Sequence, residues 1–230
     1  MTTIATLAFS LLLSLVVATP ADDPAKAAAT PTRVGAPYLL EVCAMSGEPL
    51  PADGGKVLIH DGAGDKAQAG REFRFCCNRC LGAFKKQPGK YIPAVDELII
   101  AQQLPRYPKT ATCLIMADEA LPSPTGAEAR DCKLVVSRNR LIRLCCTRCV
   151  RKFSQDPAKY IKILDAAVIA EAKAAGVNKN CPMTGRELSA KANWFVISDQ
   201  AVGTCCGGCR SRAESDPRKT IATINKAMKG

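Results

Sequence analysis

Phe75-Cys76-Cys77-Asn78-Arg79-Cys80 is the first of three Cys-Cys-x-x-Cys clusters in this chain of 230 residues. The other two are Leu144-Cys145-Cys146-Thr147-Arg148-Cys149 and Thr204-Cys205-Cys206-Gly207-Gly208-Cys209. One further cysteine precedes each cluster, at Cys43, Cys113 and Cys181. Four thiolates are enough to hold one zinc-like ion. The triplication therefore predicts three similar units, each with its own metal site.

The spacing of the clusters, a period of roughly 60 to 70 residues, divides the chain into three repeats. We place the first unit at residues 36–104, the second at 105–175 and the third at 176–230. A unit of this size buries too little apolar surface to be stable on its core alone, so it usually needs disulfides or a bound metal.

Within each unit the pattern predicts a cysteine on a turn, then a β-hairpin, then one or two helices, which is an α+β fold. The hairpin is clearest at Lys133–Ser137 and Arg140–Leu144, and the third unit repeats it with a turn at Asp199-Gln200. A short helix should follow each cluster. Asp156 and Asp216 are the predicted N-caps of second helices in units two and three, and the longest helix should span 157–175.

The N-terminus is predicted to direct export. Residues 1–21 contain an uncharged apolar run that is too short to span a bilayer and ends in small residues, which is typical of a signal peptide. An uncleaved anchor is the competing interpretation. Residues 22–35 are rich in Ala, Thr and Pro and should form a flexible tether. We expect a periplasmic or secreted protein with no stable membrane span after cleavage.

The net charge of +11 does not indicate nucleic-acid binding, because aromatic residues make up only 5% of the chain and few bases could stack. Three sites of four thiolates around a divalent ion would offset about 6 of these charges. The single histidine, His60, has no equivalent in the other units, and no nucleophile–base pair or phosphate-binding loop recurs. We therefore expect no catalytic residues.

The candidate metal ligands are twelve of the thirteen cysteines. They are Cys43, Cys76, Cys77, Cys80, Cys113, Cys145, Cys146, Cys149, Cys181, Cys205, Cys206 and Cys209. Cys132 is the odd one and is predicted to be a small buried residue. An all-sulfur site selects Zn(II) or Cu(I), and the choice depends on whether the middle cysteine of each cluster binds. A vicinal disulfide is the alternative for adjacent cysteines.

Cys181-Pro-Met-Thr-Gly185, the hairpin, Phe75-Cys-Cys-x-x-Cys80, Phe84 and Asp156-Pro-x-Lys-Tyr-Ile161 together resemble the YHS and TRASH heavy-metal-binding domains. The resemblance covers most of residues 36–229 and implies treble-clef-like units that act in metal sensing, trafficking or resistance. It also implies three ligand sets, each formed by the turn cysteine with the first and last cysteines of the cluster. These are Cys43, Cys76 and Cys80; Cys113, Cys145 and Cys149; and Cys181, Cys205 and Cys209.

Three functional hypotheses follow. The first is an exported, non-catalytic protein that holds soft ions for structure, buffering or trafficking, with metal ions and other cell-envelope proteins as partners. The second is a secreted interaction module whose cysteines form disulfides. The third is a thiol-disulfide oxidoreductase, although the thioredoxin-like α/β pattern that normally carries a Cys-x-x-Cys motif is absent.

Overall fold

A β-hairpin followed by two helices occurs three times in the computed structural model, which describes residues 36–63, 68–109 and 112–228. The predicted signal peptide and tether lie outside the described residues. The elements are β1 (Lys56–Ile59), β2 (Glu72–Phe75), α1 (Asn78–Lys86), α2 (Pro88–Gln103), β3 (Lys133–Ser137), β4 (Arg140–Leu144), α3 (Thr147–Gln155), α4 (Pro157–Ala174), β5 (Asn193–Ile197), β6 (Gln200–Thr204), α5 (Gly207–Ser215) and α6 (Pro217–Ala227). Helices combined with small antiparallel sheets confirm the predicted α+β class. Within these ranges no helix has both the length and the apolar character needed to cross a bilayer.

Each sheet is a single antiparallel hairpin. The strands β3 and β4 are joined by Arg138 and Asn139, whose φ angles of 51° and 60° match the twist of a two-residue hairpin turn. The third turn lies at Ser198-Asp199, one residue earlier than predicted, because Ile197 pairs with Gln200. Ser198 takes the left-handed conformation there, with φ of 57°.

The first helix of each unit begins directly after the middle cysteine of its cluster, which is the N-cap residue. Cys80 and Phe84 are both buried on one face of α1, as their four-residue spacing predicts. Cys149 and Phe153 repeat this arrangement on α3. The third cysteine of each cluster is therefore fixed by the packing of its own helix.

The second helices begin at the prolines. The predicted caps of α4 and α6 are confirmed, since Asp156 accepts a hydrogen bond from the Lys159 backbone N–H, and Asp216 does the same for Lys219, both at 3.2 Å. The first unit also has a second helix, α2, which the sequence did not reveal. Its N-cap residue, Gln87, makes no side-chain hydrogen bond to the helix.

Each unit has its own small core. The first is aromatic, with Phe73, Phe75 and Phe84 fully buried. The core of the second unit includes Leu141, Ile142, Leu144 and Phe153. That of the third unit is built mainly from aliphatic side chains; its fully buried members are Val202 and Ala213.

The units pack against one another in series. Helix α2 of the first unit lies on the β3–β4 hairpin of the second, and α4 of the second unit lies on the β5–β6 hairpin of the third. The third unit returns to the first through Arg218 of α6, which donates to the carbonyl oxygens of Tyr38 and Leu40 and pairs with Glu41 at 2.6 Å. The repeats therefore form one connected structure.

Buried polar side chains hold the hairpin turns together where the units meet. Asn139 in the second hairpin accepts from Arg71 at 3.0 Å and donates to the carbonyl oxygen of Glu72 at 2.7 Å. Gln103 at the end of α2 donates to the Asn139 carbonyl oxygen and to the Ser198 hydroxyl, both at 3.0 Å. All three units thus contribute to one junction, in which the buried side chains of Arg71, Gln103 and Asn139 are hydrogen-bonded.

Candidate metal centres

The upstream cysteine of the first and third units lies on a tight turn. The Cys43 N–H donates to the carbonyl oxygen of Glu48 at 2.7 Å, and Gly47 donates back to the Cys43 carbonyl at 3.0 Å. Gly47 has φ of 72°, a left-handed conformation that glycine adopts without strain. In the third unit Cys181 and Gly185 form the same turn, and Gly185 also has φ of 72°.

The second unit positions its upstream cysteine, Cys113, with a different turn. Its sequence from Cys113 to Leu121 contains no glycine and departs from the other two turns. The Cys113 N–H donates to the carbonyl oxygen of Glu119 at 2.9 Å, so this turn is one residue longer. Cys113 is nevertheless fully buried, like Cys43 and Cys181.

The three parts of each unit bring three thiols to one point. The turn supplies the upstream cysteine, the end of the hairpin supplies the first cysteine of the cluster, and the first helix supplies the last. In each unit the three Sγ atoms lie within 4.8 Å of one another. The triads are Cys43, Cys76 and Cys80; Cys113, Cys145 and Cys149; and Cys181, Cys205 and Cys209.

The thiol spacing suits metal coordination. The first and last cysteines of the cluster are 3.6 Å apart, Sγ to Sγ, in all three units. Two sulfur ligands of one zinc ion are about 3.8 Å apart in tetrahedral geometry, given Zn–S bonds near 2.3 Å. These distances are also far longer than a disulfide bond, and all thirteen cysteines are free thiols.

The middle cysteines of the clusters do not belong to these triads. Each nevertheless lies beside an inner thiol. Cys77 is 3.8 Å from Cys76, Cys146 is 3.5 Å from Cys149, and Cys206 is 4.0 Å from Cys205, all measured between sulfur atoms. Cys77 and Cys146 are half-buried, whereas Cys206 is exposed.

The turn thiols ionise more readily than an ordinary cysteine. Burial raises the pKa of Cys43, but hydrogen bonds from the Ser46 side chain and from backbone N–H groups outweigh it and lower the pKa to about 7. Burial also opposes ionisation of Cys181, where Thr184 and backbone N–H groups lower the pKa to about 6. Burial raises the pKa of Cys113 as well, but backbone N–H groups and the Cys145 thiol outweigh it and lower the pKa. The amides of the turn therefore favour the ligating thiolate.

The last cysteine of each cluster, in contrast, has a raised pKa. Burial, followed by the neighbouring thiols, raises the pKa of both Cys80 and Cys209 to about 12. The pKa of Cys149 is raised in the same way, and burial raises that of Cys145 to about 11. Without an ion, each triad therefore combines one easily ionised thiol with at least one protonated thiol. A coordinating ion removes such protons outright.

The middle thiols have lowered pKa values. For Cys77 and Cys206 the first cause is the nearby backbone N–H of the last cysteine in the cluster. The same contact lowers the pKa of Cys146 to about 7. As N-cap residues they stand where the free N–H groups of the helix favour a negative charge.

Two hydroxyl groups near the sulfurs were not anticipated from the sequence. The Ser46 oxygen is 3.8 Å from the Cys76 sulfur, and the Thr184 oxygen is 3.7 Å from that of Cys205. The signal that could have revealed them is the repeated Cys-x-x-Ser/Thr-Gly in two of the turns. In the second unit this place is taken by Met116, whose sulfur lies 3.9 Å from the Arg148 guanidinium.

The remaining candidates lie apart from the triads. Met45, Met116 and Met183 are partly buried and pack against the core of their own unit. His60 is buried, and its Nδ1 accepts from the Gly62 N–H at 2.9 Å. Cys132 is buried with 8% of its surface exposed and belongs to none of the three triads.

Comparison of the chain with described protein families, with curated proteins and with solved structures finds no match.

Proposed function

We propose that this chain is an exported, non-catalytic metal-binding protein that holds three soft ions, one in each unit, for buffering or trafficking. The observation that carries the proposal is the threefold convergence of three thiols within 4.8 Å, two of them buried in each unit. The same thiol arrangement occurs three times, on two kinds of turn and over three different cores, which chance does not readily explain.

The donor set supports thiophilic ions. Each triad offers only sulfur, which selects Cu(I) or Zn(II) over Mg(II), Ca(II) or Mn(II). Zn(II) in structural sites takes four ligands, whereas three thiolates satisfy Cu(I). The three-thiol geometry therefore favours Cu(I), and Zn(II) would require the middle cysteine or water as a fourth ligand.

The turn, hairpin and helix of each unit support the proposed resemblance to YHS and TRASH domains and to the treble-clef arrangement. In that family the ligands are a turn cysteine and a Cys-x-x-x-Cys pair, which correspond to the three triads here. We further propose that residues 1–21 direct export, so that the sites bind metal outside the cytoplasm.

Metal content and reactive-thiol count test this proposal on protein purified without chelator or reductant. We expect two to three equivalents of Cu or Zn per chain, with thiols that react only after the metal is chelated. Absence of metal together with about one reactive thiol would instead support the disulfide-stapled module. Turnover in an insulin-reduction assay would support the oxidoreductase.

Single substitutions sharpen the test. Cys43→Ser, Cys113→Ser and Cys181→Ser should each remove one equivalent of metal, because each breaks one triad. Cys132→Ser is the matched control, since Cys132 is also buried but lies outside the triads. Loss of metal in Cys132→Ser equal to that in the other variants would contradict the assignment of sites.

A further inference from the structure

Each unit has one more thiol at its metal centre than the triad uses. The middle cysteine occupies the N-cap position of the first helix, with an extended backbone, in all three units. A helix start alone does not require cysteine there, since Ser, Thr, Asp or Asn caps a helix better. This chain uses Asp156 and Asp216 as caps for its second helices.

The two residues between the middle and last cysteines are not shared by all three clusters. Between it and the last cysteine lie Asn-Arg in the first cluster, Thr-Arg in the second and Gly-Gly in the third. Within each cluster only the three cysteines are common to all copies. A role that depends on the sulfur itself accounts for this better than helix capping does.

The middle sulfur lies beside the triad but is not part of it. It lies 3.5 to 4.0 Å from an inner thiol, which is close enough for both sulfurs to contact one ion. It is not within 4.8 Å of all three inner thiols. An ion held by the triad can therefore also reach the middle thiol, but only by moving toward it or by losing a ligand.

The solvent exposure of the thiols also increases from the inner triad towards the middle cysteine. In the third unit Cys181 and Cys209 are 1% exposed, Cys205 is half-buried and Cys206 is exposed. In the first unit Cys43 and Cys80 are buried, while Cys76 and Cys77 are half-buried. The turn cysteine and the last cysteine form the floor of each centre, and the other two thiols form its mouth.

We propose that Cys77, Cys146 and Cys206 are exchange thiols, which receive a soft ion from thiol ligands in solution or on a carrier and pass it to the inner triad. This inference rests on the proposed metal-binding function and adds the route by which the sites fill and empty. The incoming ligand class is a thiolate complex of Cu(I).

The transfer is a ligand substitution without redox chemistry. The middle thiolate bonds to Cu(I) while a carrier sulfur is still bound, and that carrier sulfur then leaves. The three inner sulfurs bind next, any remaining carrier sulfur leaves as they do so, and the middle sulfur is released or retained at the rim. Each protein thiol gives up one proton on binding, each departing carrier thiolate can take one up, and copper remains Cu(I) throughout.

The test compares the full chain with the variant Cys77→Ser/Cys146→Ser/Cys206→Ser. Serine is a preferred N-cap residue, so the variant should keep the first helices, which circular dichroism can verify. Cys132→Ser is the control for loss of a thiol elsewhere. The probe is Cu(I) as its glutathione complex, with stopped-flow measurement of uptake and of release to excess chelator.

We expect the variant to bind as many equivalents of Cu(I) as the wild type, and uptake and release to slow by about tenfold or more, because a pre-positioned incoming ligand has been removed. Unchanged rates overturn the proposal. Loss of stoichiometric binding also overturns it, since the middle thiols would then be resident ligands. Failure of the wild type to bind Cu(I) is a separate result that refutes the proposed function itself.

The single variant Cys206→Ser gives a second measurement that does not depend on the folding of the triple variant. Cys206 is the exposed middle thiol, and its loss should slow one of three sites. Uptake should then become biphasic, with about one third of the amplitude in the slow phase. A single fast phase with full amplitude would contradict the exchange role at this site.

Discussion

The first and third candidate metal centres bring equivalent sets of three thiols together over different cores. Beneath the first centre, Phe84 contacts Phe73 and Phe75, with ring centroids 4.7 and 5.1 Å apart. In the third unit the position of Phe84 is taken by Ala213, which is also fully buried. The distance between the first and last cluster thiols is nevertheless 3.6 Å in both.

The arrangement of the thiols does not require an aromatic core beneath them. In the third unit Ala213 and Thr220 replace two aromatic residues of the first unit, which predicts a less well supported site. The Thr220 hydroxyl instead shares its proton between the carbonyl oxygens of Ala213 at 3.1 Å and Asp216 at 2.9 Å. The turn, the hairpin end and the helix start therefore bring the thiols together to the same spacing over two different cores.

The substitution Phe84→Ala should have the largest effect. It removes a fully buried ring with three aromatic neighbours, and we expect the free energy of unfolding to fall by about 3–5 kcal/mol. Urea unfolding of the metal-free protein measures this. Phe84→Leu, which keeps most of the volume, should cost clearly less; equal losses in both variants would show that the ring contacts are not the cause.

The reverse substitution, Ala213→Phe, tests whether the third core could accept the ring. Ala213 has no exposed surface, and its carbonyl oxygen is already bonded to Thr220. Overpacking should therefore lower the free energy of unfolding by about 1–3 kcal/mol. An increase in stability would mean that the third core contains room for an aromatic side chain, and that the two cores differ less than they appear to in sequence.

Acid release of metal should distinguish the two centres. Protons and the ion compete for the same sulfur, and a thiolate with a lower pKa keeps the ion to lower pH. The turn thiol Cys181 has a pKa of about 6 and Cys43 of about 7. We expect the third centre to release its ion at lower pH than the first, by up to about one pH unit.

Variants that each lack one centre measure this difference. Cys43→Ser retains the third centre and should keep part of its metal at a pH where Cys181→Ser, which retains the first, has lost that fraction. Both retain the second centre, so its contribution cancels. Identical pH profiles of metal content would contradict the assignment of the turn thiols as the source of the difference.

Much of this architecture is local and could be predicted from the sequence. The i, i+4 spacing placed Cys80 and Phe84 on one helix face, and the hairpin turn at Arg138-Asn139 followed from two flanking apolar runs. The third turn was predicted one residue late because Asp199 and Gln200 are more polar than the residues before them. Its register is instead fixed by strand pairing, with Ile197 opposite Gln200.

The features that escaped prediction are nonlocal or depend on geometry. The junction between Asn139 and Arg71 joins residues 68 positions apart, which no short pattern indicates. The triads followed from the proposed resemblance, but separating the middle thiols from them required the N-cap geometry of Cys77 and its counterparts. Helix α2 was missed because Gln87 is not a usual cap and Pro93 lies inside the helix.

The smallest predicted change in stability comes from the N-cap hydrogen bond that α2 lacks. Gln87 has φ of −146° and ψ of 62°, close to the −146° and 72° of Asp156, which caps α4. Gln87→Asp should therefore install in the first unit the hydrogen bond that the other two already have, and raise the free energy of unfolding by about 0.5–1 kcal/mol. Urea unfolding against wild type measures the gain.

Gln87→Ala is the matched control, and it should leave the free energy of unfolding almost unchanged because the Gln87 side chain makes no cap hydrogen bond. If Gln87→Asp fails to stabilise while Asp156→Ala costs about 1 kcal/mol, the similar backbone angles do not make the two helix starts equivalent. If both respond as expected, the repeats share one scaffold in which caps and core residues can be exchanged independently of the thiols.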